Sequence, residues 1–148
     1  MLFIRQMVDN DLVVLSKSIT EGDLEELRVF DKEITVIDAL ELSVENSLCY
    51  TVSDDFGTVY AVGGTSSQGA AWFITSNNIE LLTHNETCQF ISILKQHRDV
   101  CLKTHRFLFN CISTKNVKHI RLLKLLGATF RSTDIDGVAF FKITRGGQ

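Results

Sequence analysis

Cysteine and histidine are the residue types in this sequence that could ligate a metal or act as nucleophile and base. The four cysteines, Cys49, Cys88, Cys101 and Cys111, are scattered, with no C-x-x-C pair and no tight cluster with histidine. Because zinc sites need more closely spaced ligand pairs, we predict no metal site. Cys111 falls in an apolar run, so we interpret it as a core residue and not a nucleophile. His119 has no carboxylate or cysteine at helical spacing to orient it, which indicates a structural or surface histidine.

Basic side chains recur near the end of the chain, at Lys115, Lys118, Arg121 and Lys124. The simplest interpretation is a solvated helix face. The sharper alternative is a contact with an acidic protein partner or with phosphate. The formal net charge of −3 and the lack of an aromatic-basic platform argue against nucleic acid as the partner.

The length and composition favour one globular domain spanning residues 1–148. The 148 residues suit a single domain, and 45% hydrophobic with 22% charged residues is typical of globular proteins. No apolar run approaches the roughly 20 residues that span a bilayer, so we expect no membrane association. The apolar stretch at Leu2–Ile4 is three residues long and a charge follows it, unlike a signal peptide. We therefore expect an unexported protein with reduced cysteines.

The period of the apolar residues changes along the chain. A strand and then helices occupy the first part, strands occupy the middle, and a helix, a strand, a helix and two strands follow. Predicted strands are at 2–6, 48–52, 58–62, 70–75, 106–112, 128–132 and 137–144. Predicted helices are at about 9–19, 23–30, 36–46, 83–104 and 115–126. This order predicts an α/β (α+β) fold with one mixed, mainly antiparallel sheet flanked by helices on both faces.

Local signals set the expected ends of these elements. Asp9 or Asn10 can cap the first helix, and Gly63-Gly64 is expected to end a strand. Thr83–Glu86 fits a capping box at the start of the long helix, and Thr114 is expected to cap the last one. The nearly continuous apolar run 106–112 suits a central strand covered on both faces. The tail from residue 145 is expected to be frayed.

The segment Phe109–Phe130 resembles the second half of the GNAT (acetyltransferase-type) family: a strand, a helix opening near an Asn, and a Leu-Gly step into the next strand. Asn116 stands eleven residues before Gly127, as in that pattern. Three shorter segments together resemble a narrower family of GNAT-like proteins from short-tailed bacteriophages, the internal virion protein A family. They are Trp72–Ser76, Asn116–Arg121 and Leu126–Phe130, and the ending Ile143–Gly147 resembles that family's glycine-rich tail.

The resemblance implies a site for acetyl-CoA, whose pyrophosphate binds at the N-terminus of the helix after the fourth strand. Backbone N–H groups and the helix dipole hold such an anion, and glycines let the backbone approach it. The family pattern there is Gln/Arg-x-x-Gly-x-Gly/Ala. The corresponding segment Thr75–Glu86 has no glycine, arginine or lysine, and it places Glu80 and Glu86 where phosphates would sit. Both sterics and charge therefore disfavour CoA.

The resemblance also implies a general acid for the departing thiolate, commonly a Tyr seven residues after the Asn. That position is Leu123, which has no proton to give. His119 stands where the family often has Ala. Glu41, Glu45 and His84 are nominal candidates for a general base, and nothing in the sequence selects one.

These departures favour a bacteriophage GNAT-fold protein without acetyltransferase activity and without a cofactor. We expect it to act in the host cytoplasm, through contacts with phage or host proteins in virion assembly or host takeover, and leave open whether it remains in the virion. The alternative is an acetyl-CoA-dependent N-acyltransferase with an atypical site. If a CoA site is retained, the residues expected to bind the cofactor are Phe73, Ile74, Thr75 and Asn116.

Overall fold

The computed structural model describes residues 1–145, and the alternation of periods in the sequence becomes seven strands and five α-helices in that range. The strands are β1 (Leu2–Gln6), β2 (Ser47–Asp54), β3 (Val59–Ser66), β4 (Ala71–Thr75), β5 (Phe107–Ser113), β6 (Thr129–Ser132) and β7 (Val138–Thr144). The helices are α1 (Asp9–Ser18), α2 (Glu21–Phe30), α3 (Val36–Val44), α4 (His84–Cys101) and α5 (Val117–Leu125), and a 3-10 helix spans Asn77–Leu81. None of these helices is both long and apolar enough to cross a membrane.

The strands form two antiparallel sheets, in the orders β1-β2-β3-β4 and β5-β7-β6. The mixed, mainly antiparallel fold class is thus confirmed, but the expectation of one continuous sheet is wrong. Ala70 and Phe109 form a single parallel bridge between the sheets. Beyond that bridge the ladder does not continue between β4 and β5. We call this gap between the two strands the split.

The split changes the environment of β5, which was expected to be a central strand. β5 pairs with β7 along its whole length, whereas its other edge has only the one bridge to the first sheet. Cys111 is exposed, so its interpretation as a core residue is wrong; Leu108 and Ile112 are buried on the other face of β5. A continuous apolar run does not reveal that one of its neighbouring strands diverges.

Hydrophobic side chains pack on both faces of the first sheet. Leu15 of α1 and Leu40 of α3 pack with Val62 and Ile74 on one face. Phe90 of α4 packs on the other face, in a separate cluster. The second sheet has its own core, which includes Ile112, Leu123, Leu126, Phe141 and Ile143. The cores are connected, because Phe73 of β4 packs against the core of the second sheet and Leu94 of α4 contacts both. This apolar burial is the main source of stability.

Two helix caps differ from the expected ones. The N-cap of α1 is Val8, not Asp9 or Asn10, and the Asp11 carboxylate accepts its backbone N–H. For α5, the N-cap position is Asn116 and not Thr114, and the Asn116 side chain makes no capping bond. By contrast, the Thr83–Glu86 capping box of α4 is present with both of its hydrogen bonds.

Gly63 and Gly64 lie inside β3, so the prediction that they end the strand is wrong. A Cβ at Gly63 would meet the Trp72 carbonyl oxygen at 2.8 Å. These glycines therefore let β4 lie close to β3 and do not terminate it. At the end of the chain, the Arg145 guanidinium donates to the Leu102 carbonyl, so the predicted fraying does not apply to this residue. The rest of the predicted tail, 146–148, lies outside the described residues.

Candidate functional site

Several buried or partly buried polar residues lie around the split. α2 crosses its mouth, and the first turn of α2 is tied to the end of β4. The Thr20 N–H donates to the Thr75 carbonyl at 3.0 Å. One turn later, Asp23 Oδ2 accepts both the Thr75 N–H, at 2.8 Å, and the Thr75 hydroxyl, at 2.6 Å. The backbone edge of β4 is therefore already hydrogen-bonded at this end.

The facing edge of β5 is satisfied in a similar way. Glu26, one turn beyond Asp23 on α2, accepts the Ser113 N–H through Oε2 at 3.4 Å. The Cys111 N–H donates to the side chain of Asn110 at 2.8 Å. The amide nitrogen of that asparagine in turn donates across the split to the Ala71 carbonyl at 3.0 Å. Side chains of this chain thus bind both edges of the split.

Four side chains meet between α2 and α5, and we call them the split cluster: Asp23, Glu26, Asn116 and His119. Asn116 Nδ2 donates to Asp23 Oδ1 at 2.8 Å and to Glu26 Oε1 at 2.7 Å. His119 Nδ1 lies 3.3 Å from Glu26 Oε1 and 3.9 Å from Asp23 Oδ1. Asn116 and Asp23 are each 6% exposed, so this network lies inside the protein.

The α2 backbone approaches Asn116 closely. A Cβ at Gly22 would lie 2.8 Å from Asn116 Oδ1. Glycine at this position therefore leaves the space that the asparagine oxygen occupies. His119 is held on its other side by Phe73, whose ring meets the imidazole edge-on with centroids 4.2 Å apart.

Three of the four residues predicted as conditional cofactor ligands meet at this site. Phe73 lines it with its ring, Thr75 is bound to Asp23, and Asn116 belongs to the split cluster. The fourth, Ile74, is directed elsewhere, because its side chain packs in the core with α1 and α3. Their role as cofactor ligands stays a prediction.

The nominal bases lie apart from the split. Glu41 and Glu45 line a shallow surface cleft on α3 with Asp38 and Leu42. His84 is exposed in the first turn of α4, with Nε2 3.9 Å from the Cys88 thiol. The oriented histidine is instead His119, which the sequence interpretation set aside for want of a carboxylate at helical spacing. Its carboxylates come from α2, 93 positions upstream.

Sequence reasoning did not single out Asp23 and Glu26. One signal was available, since the two carboxylates stand three positions apart on a helix and so share a face. Their pairing with His119 and Asn116 is a long-range contact that no local pattern encodes.

The segment where a pyrophosphate would bind is compact and bonded to itself. The hydroxyl of Ser76 accepts the Asn78 N–H at 3.1 Å, ahead of the 3-10 helix. At the start of α4, Thr83 Oγ1 accepts the Glu86 N–H at 3.2 Å, and Glu86 Oε1 accepts the Thr83 N–H at 3.0 Å. The donors that an anion would use at this helix end thus include two that already have acceptors.

A cleft of about 400 Å³ opens beside the split cluster. Its lining includes the carboxylates of Glu21, Asp23, Glu25 and Glu80 and the ammonium groups of Lys115 and Lys118. One of these lysines, Lys118, is paired with Glu80 at 3.6 Å on the surface. The acidic excess disfavours a polyanionic ligand. Leu123, at the position of the family's tyrosine, is 2% exposed and packs in the core of the second sheet.

This chain is similar in sequence to a bacteriophage protein family and in structure to acetyltransferases. A family model described as "Bacteriophage T7, probable scaffold protein Gp13" matches residues 49–133. The probable scaffold protein gp13 of Escherichia phage T7 is 33% identical over 103 residues, which cover 68% of this chain and 73% of that protein. The description of this phage family is scaffold protein, and not internal virion protein.

Solved acetyltransferase structures share the fold. The aminoglycoside acetyltransferase AAC(6')-Ib with coenzyme A and kanamycin superposes with a TM-score of 0.67 at 15% identity, covering 99% of this chain and 96% of that one. The GNAT domain of S. lividans PAT gives 0.68 at 15%, covering 95% and 89%. Spermidine N-acetyltransferase from Vibrio cholerae with CoA and spermine gives 0.64 at 14%, covering 99% and 96%. The GNAT fold expected from the sequence is confirmed.

Proposed function

Because this chain belongs to the bacteriophage family of the probable scaffold protein Gp13 of T7, we propose that it acts in virion assembly or host takeover through protein–protein contacts, without transferring acetyl groups. Its partners are other phage proteins or host proteins, and it works in the host cytoplasm. Its inclusion in the particle as an internal virion protein belongs to the same proposal.

The observation that carries the non-enzymatic part is the bonding at the edges of the split. Pantetheine in a GNAT enzyme would pair with the strand backbone at this position. Here Asp23 already binds the Thr75 N–H at 2.8 Å, and Glu26 binds the Ser113 N–H at 3.4 Å. A cofactor would have to displace two charged hydrogen-bond acceptors that are already desolvated, which is costly. The acidic cleft and buried Leu123 support the same conclusion.

A titration with acetyl-CoA tests this proposal. We expect neither heat of binding by calorimetry nor a shift in the thermal unfolding midpoint at ~1 mM ligand. A ligand with Kd ~10 µM would at that excess stabilise the protein by roughly 2.7 kcal/mol, a shift that is readily measured. An active GNAT acetyltransferase titrated with the same acetyl-CoA solution serves as the positive control and shows that the ligand is intact. A clear increase in the thermal unfolding midpoint with acetyl-CoA would contradict the non-enzymatic proposal.

A second candidate is an N-acyltransferase with an atypical site, and one observation favours it. His119 lies 3.3 Å from Glu26 at the split, the arrangement of an imidazole oriented by a carboxylate. In this candidate His119 would accept the proton of an incoming amine. The same titration separates the two, because this candidate requires saturable acetyl-CoA binding that the first excludes.

A further inference from the structure

The split cluster holds two carboxylates inside the protein without a strong base beside them. Asp23 and Glu26 have side-chain exposures of 7% and 13%. In the part of the chain that the structure describes, the only basic group within ion-pair distance of either carboxylate is His119. Two carboxylates buried this close together repel each other and have lost their hydration. A bound cation would offset both energetic costs.

We propose that the split cluster binds a first-row divalent cation, with Zn²⁺ as the preferred ion. Asp23 Oδ1, Glu26 Oε1 and His119 Nδ1 supply the ligands, and one ligand atom from each residue lies within 4.8 Å of the others. The His119–Glu26 and His119–Asp23 separations of 3.3 and 3.9 Å are close to the ligand–ligand spacing of about 3.3 Å that tetrahedral Zn–ligand distances of about 2.0–2.1 Å imply.

Asn116 completes the ligand set after one local rotation. Its Nδ2 now points between the two inner carboxylate oxygens, at 2.8 and 2.7 Å. A half-turn of the amide exchanges Nδ2 for Oδ1, which a cation between the carboxylates would favour and bare carboxylates would oppose. The set then offers one imidazole nitrogen and three oxygens.

The outer oxygens of both carboxylates are held by the protein, as is common for ligating carboxylates. Asp23 Oδ2 is fixed by the N–H and hydroxyl of Thr75, and Glu26 Oε2 by the N–H of Ser113. These bonds orient both carboxylates so that the inner oxygens face a common point, where they now accept from Asn116 Nδ2. The inner oxygens are therefore the ones that a cation would bind once the amide has rotated.

The chemistry of the set favours a transition-metal ion over Mg²⁺ and Ca²⁺. Imidazole suits zinc, copper, iron and nickel, whereas magnesium and calcium prefer oxygen ligands alone. The cleft of about 400 Å³ that Asp23, Asn116 and His119 also line provides the entry path. The sequence analysis predicted no metal site because it weighed spacing along the chain, whereas these ligands are brought together from α2 and α5.

This inference does not depend on the proposed function. Zinc binding together with acetyl-CoA binding would overturn only the proposed function. Absence of both would overturn only the zinc site. Each proposal can therefore fail alone.

The experiment is a calorimetric titration of the metal-free protein with ZnCl₂, accompanied by Co²⁺ absorption spectroscopy. We expect one ion per chain, with visible Co²⁺ bands of a low-symmetry site, and affinity that falls as the pH is lowered because protons compete for the ligands. Glu26→Gln, which keeps the side-chain shape, should weaken binding by ~10-fold or more. The matched control is Glu33→Gln, an exposed residue just after the same helix with the same change in charge, and the affinity of this variant for Zn²⁺ should be unchanged.

A measurement on the unmodified chain covers the case in which the Glu26 variant does not fold. Imidazole ¹⁵N spectra report the four histidines separately, and Zn²⁺ should shift the His119 nitrogens first. A first shift at His84, which lies beside Cys88 on the surface, would overturn the proposal, because it would identify an adventitious surface site. Absence of binding, or equal weakening by Glu33→Gln, would overturn it too.

Discussion

Asp11 is a buried carboxylate that joins three elements of the N-terminal half. It accepts two hydrogen bonds from the Arg5 guanidinium, at 2.8 and 2.9 Å, one from the Val8 N–H at 2.9 Å, and one from the Thr51 hydroxyl at 2.8 Å. Burial by itself would raise the pKa of Asp11, but the hydrogen bonds from Arg5, Val8 and Thr51 outweigh it and hold the pKa below its ordinary value.

Replacing Asp11 with asparagine should lower the free energy of unfolding by about 2–3 kcal/mol at pH 7, because Arg5 is left without its charge partner. A carboxylate with a depressed folded-state pKa stabilises the fold above its unfolded pKa of about 3.9 and loses that effect as the pH falls through the folded value. The difference between wild type and Asp11→Asn should therefore shrink below about pH 4. Urea unfolding at several pH values measures it.

Asp9→Asn is the matched control for that measurement, because Asp9 is an exposed acid in the same helical turn. We expect a change within about 0.5 kcal/mol. A pH-independent difference between wild type and Asp11→Asn would contradict the role assigned to the Asp11 charge.

At the residue scale, contacts between residues close in sequence could be predicted, whereas contacts between distant residues could not. The capping pair Thr83–Glu86 could be predicted from neighbours in the chain, and the structure confirms it. His119 could not, because its partners Asp23 and Glu26 are about 90 positions away and belong to another helix. Only the packing of α2 against α5 brings them together.

Among the elements, α4 begins with a reciprocal cap formed by Thr83 and Glu86. Thr83 and Glu86 bond to each other's backbone N–H, so two donors at this helix end have acceptors from the protein itself. These side chains stabilise the helix end at the position where the glycines of the GNAT pattern would let the backbone bind an anion.

Thr83→Ala should lower the free energy of unfolding by ~1 kcal/mol, the usual cost of removing a threonine N-cap. Ser92→Ala, an exposed position inside the same helix, should be neutral or slightly stabilising because alanine is the better helix former. Chemical denaturation of both variants measures the difference. Equal effects at the two positions would show that the cap contributes nothing specific.

The extents of the elements were predictable within a few residues, because apolar period and capping signals are local. The role of Gly63 was not, since the close approach of Trp72 that requires it comes from another strand. The apolar run of β5 likewise gave no sign that one face of the strand is only partly covered, which is why Cys111 was wrongly placed in the core.

For the whole molecule, the order of elements was enough to predict a mixed, mainly antiparallel fold, and the resemblance of Phe109–Phe130 to the GNAT family added the GNAT fold, which the superpositions confirm. The division into two sheets was not predictable from that order, because a divergence between neighbouring strands leaves no periodic signature in the sequence.

If the protein acts in assembly, its 16.7 kDa chain should sediment with much larger particles during part of the infection. Gradient sedimentation of lysates from cells infected with the parent phage, with immunodetection of this protein, provides the measurement. We expect a fraction to move with assembly intermediates, whereas the purified protein alone stays near the top. Confinement to the top of the gradient at every time after infection would contradict a role in assembly.

The anchoring of Thr75 by α2 has a consequence for the chain while it is being synthesised. β4 is made before β5 and α5, so its outer edge would be an unpaired strand during translation, and such edges invite pairing with other chains. Thr20 and Asp23 precede Thr75 in the chain, and in the folded protein their bonds to Thr75 cover the far end of that edge. Because the second sheet adds a single isolated bridge to the same edge, these bonds reduce the number of backbone groups left open for pairing with another chain.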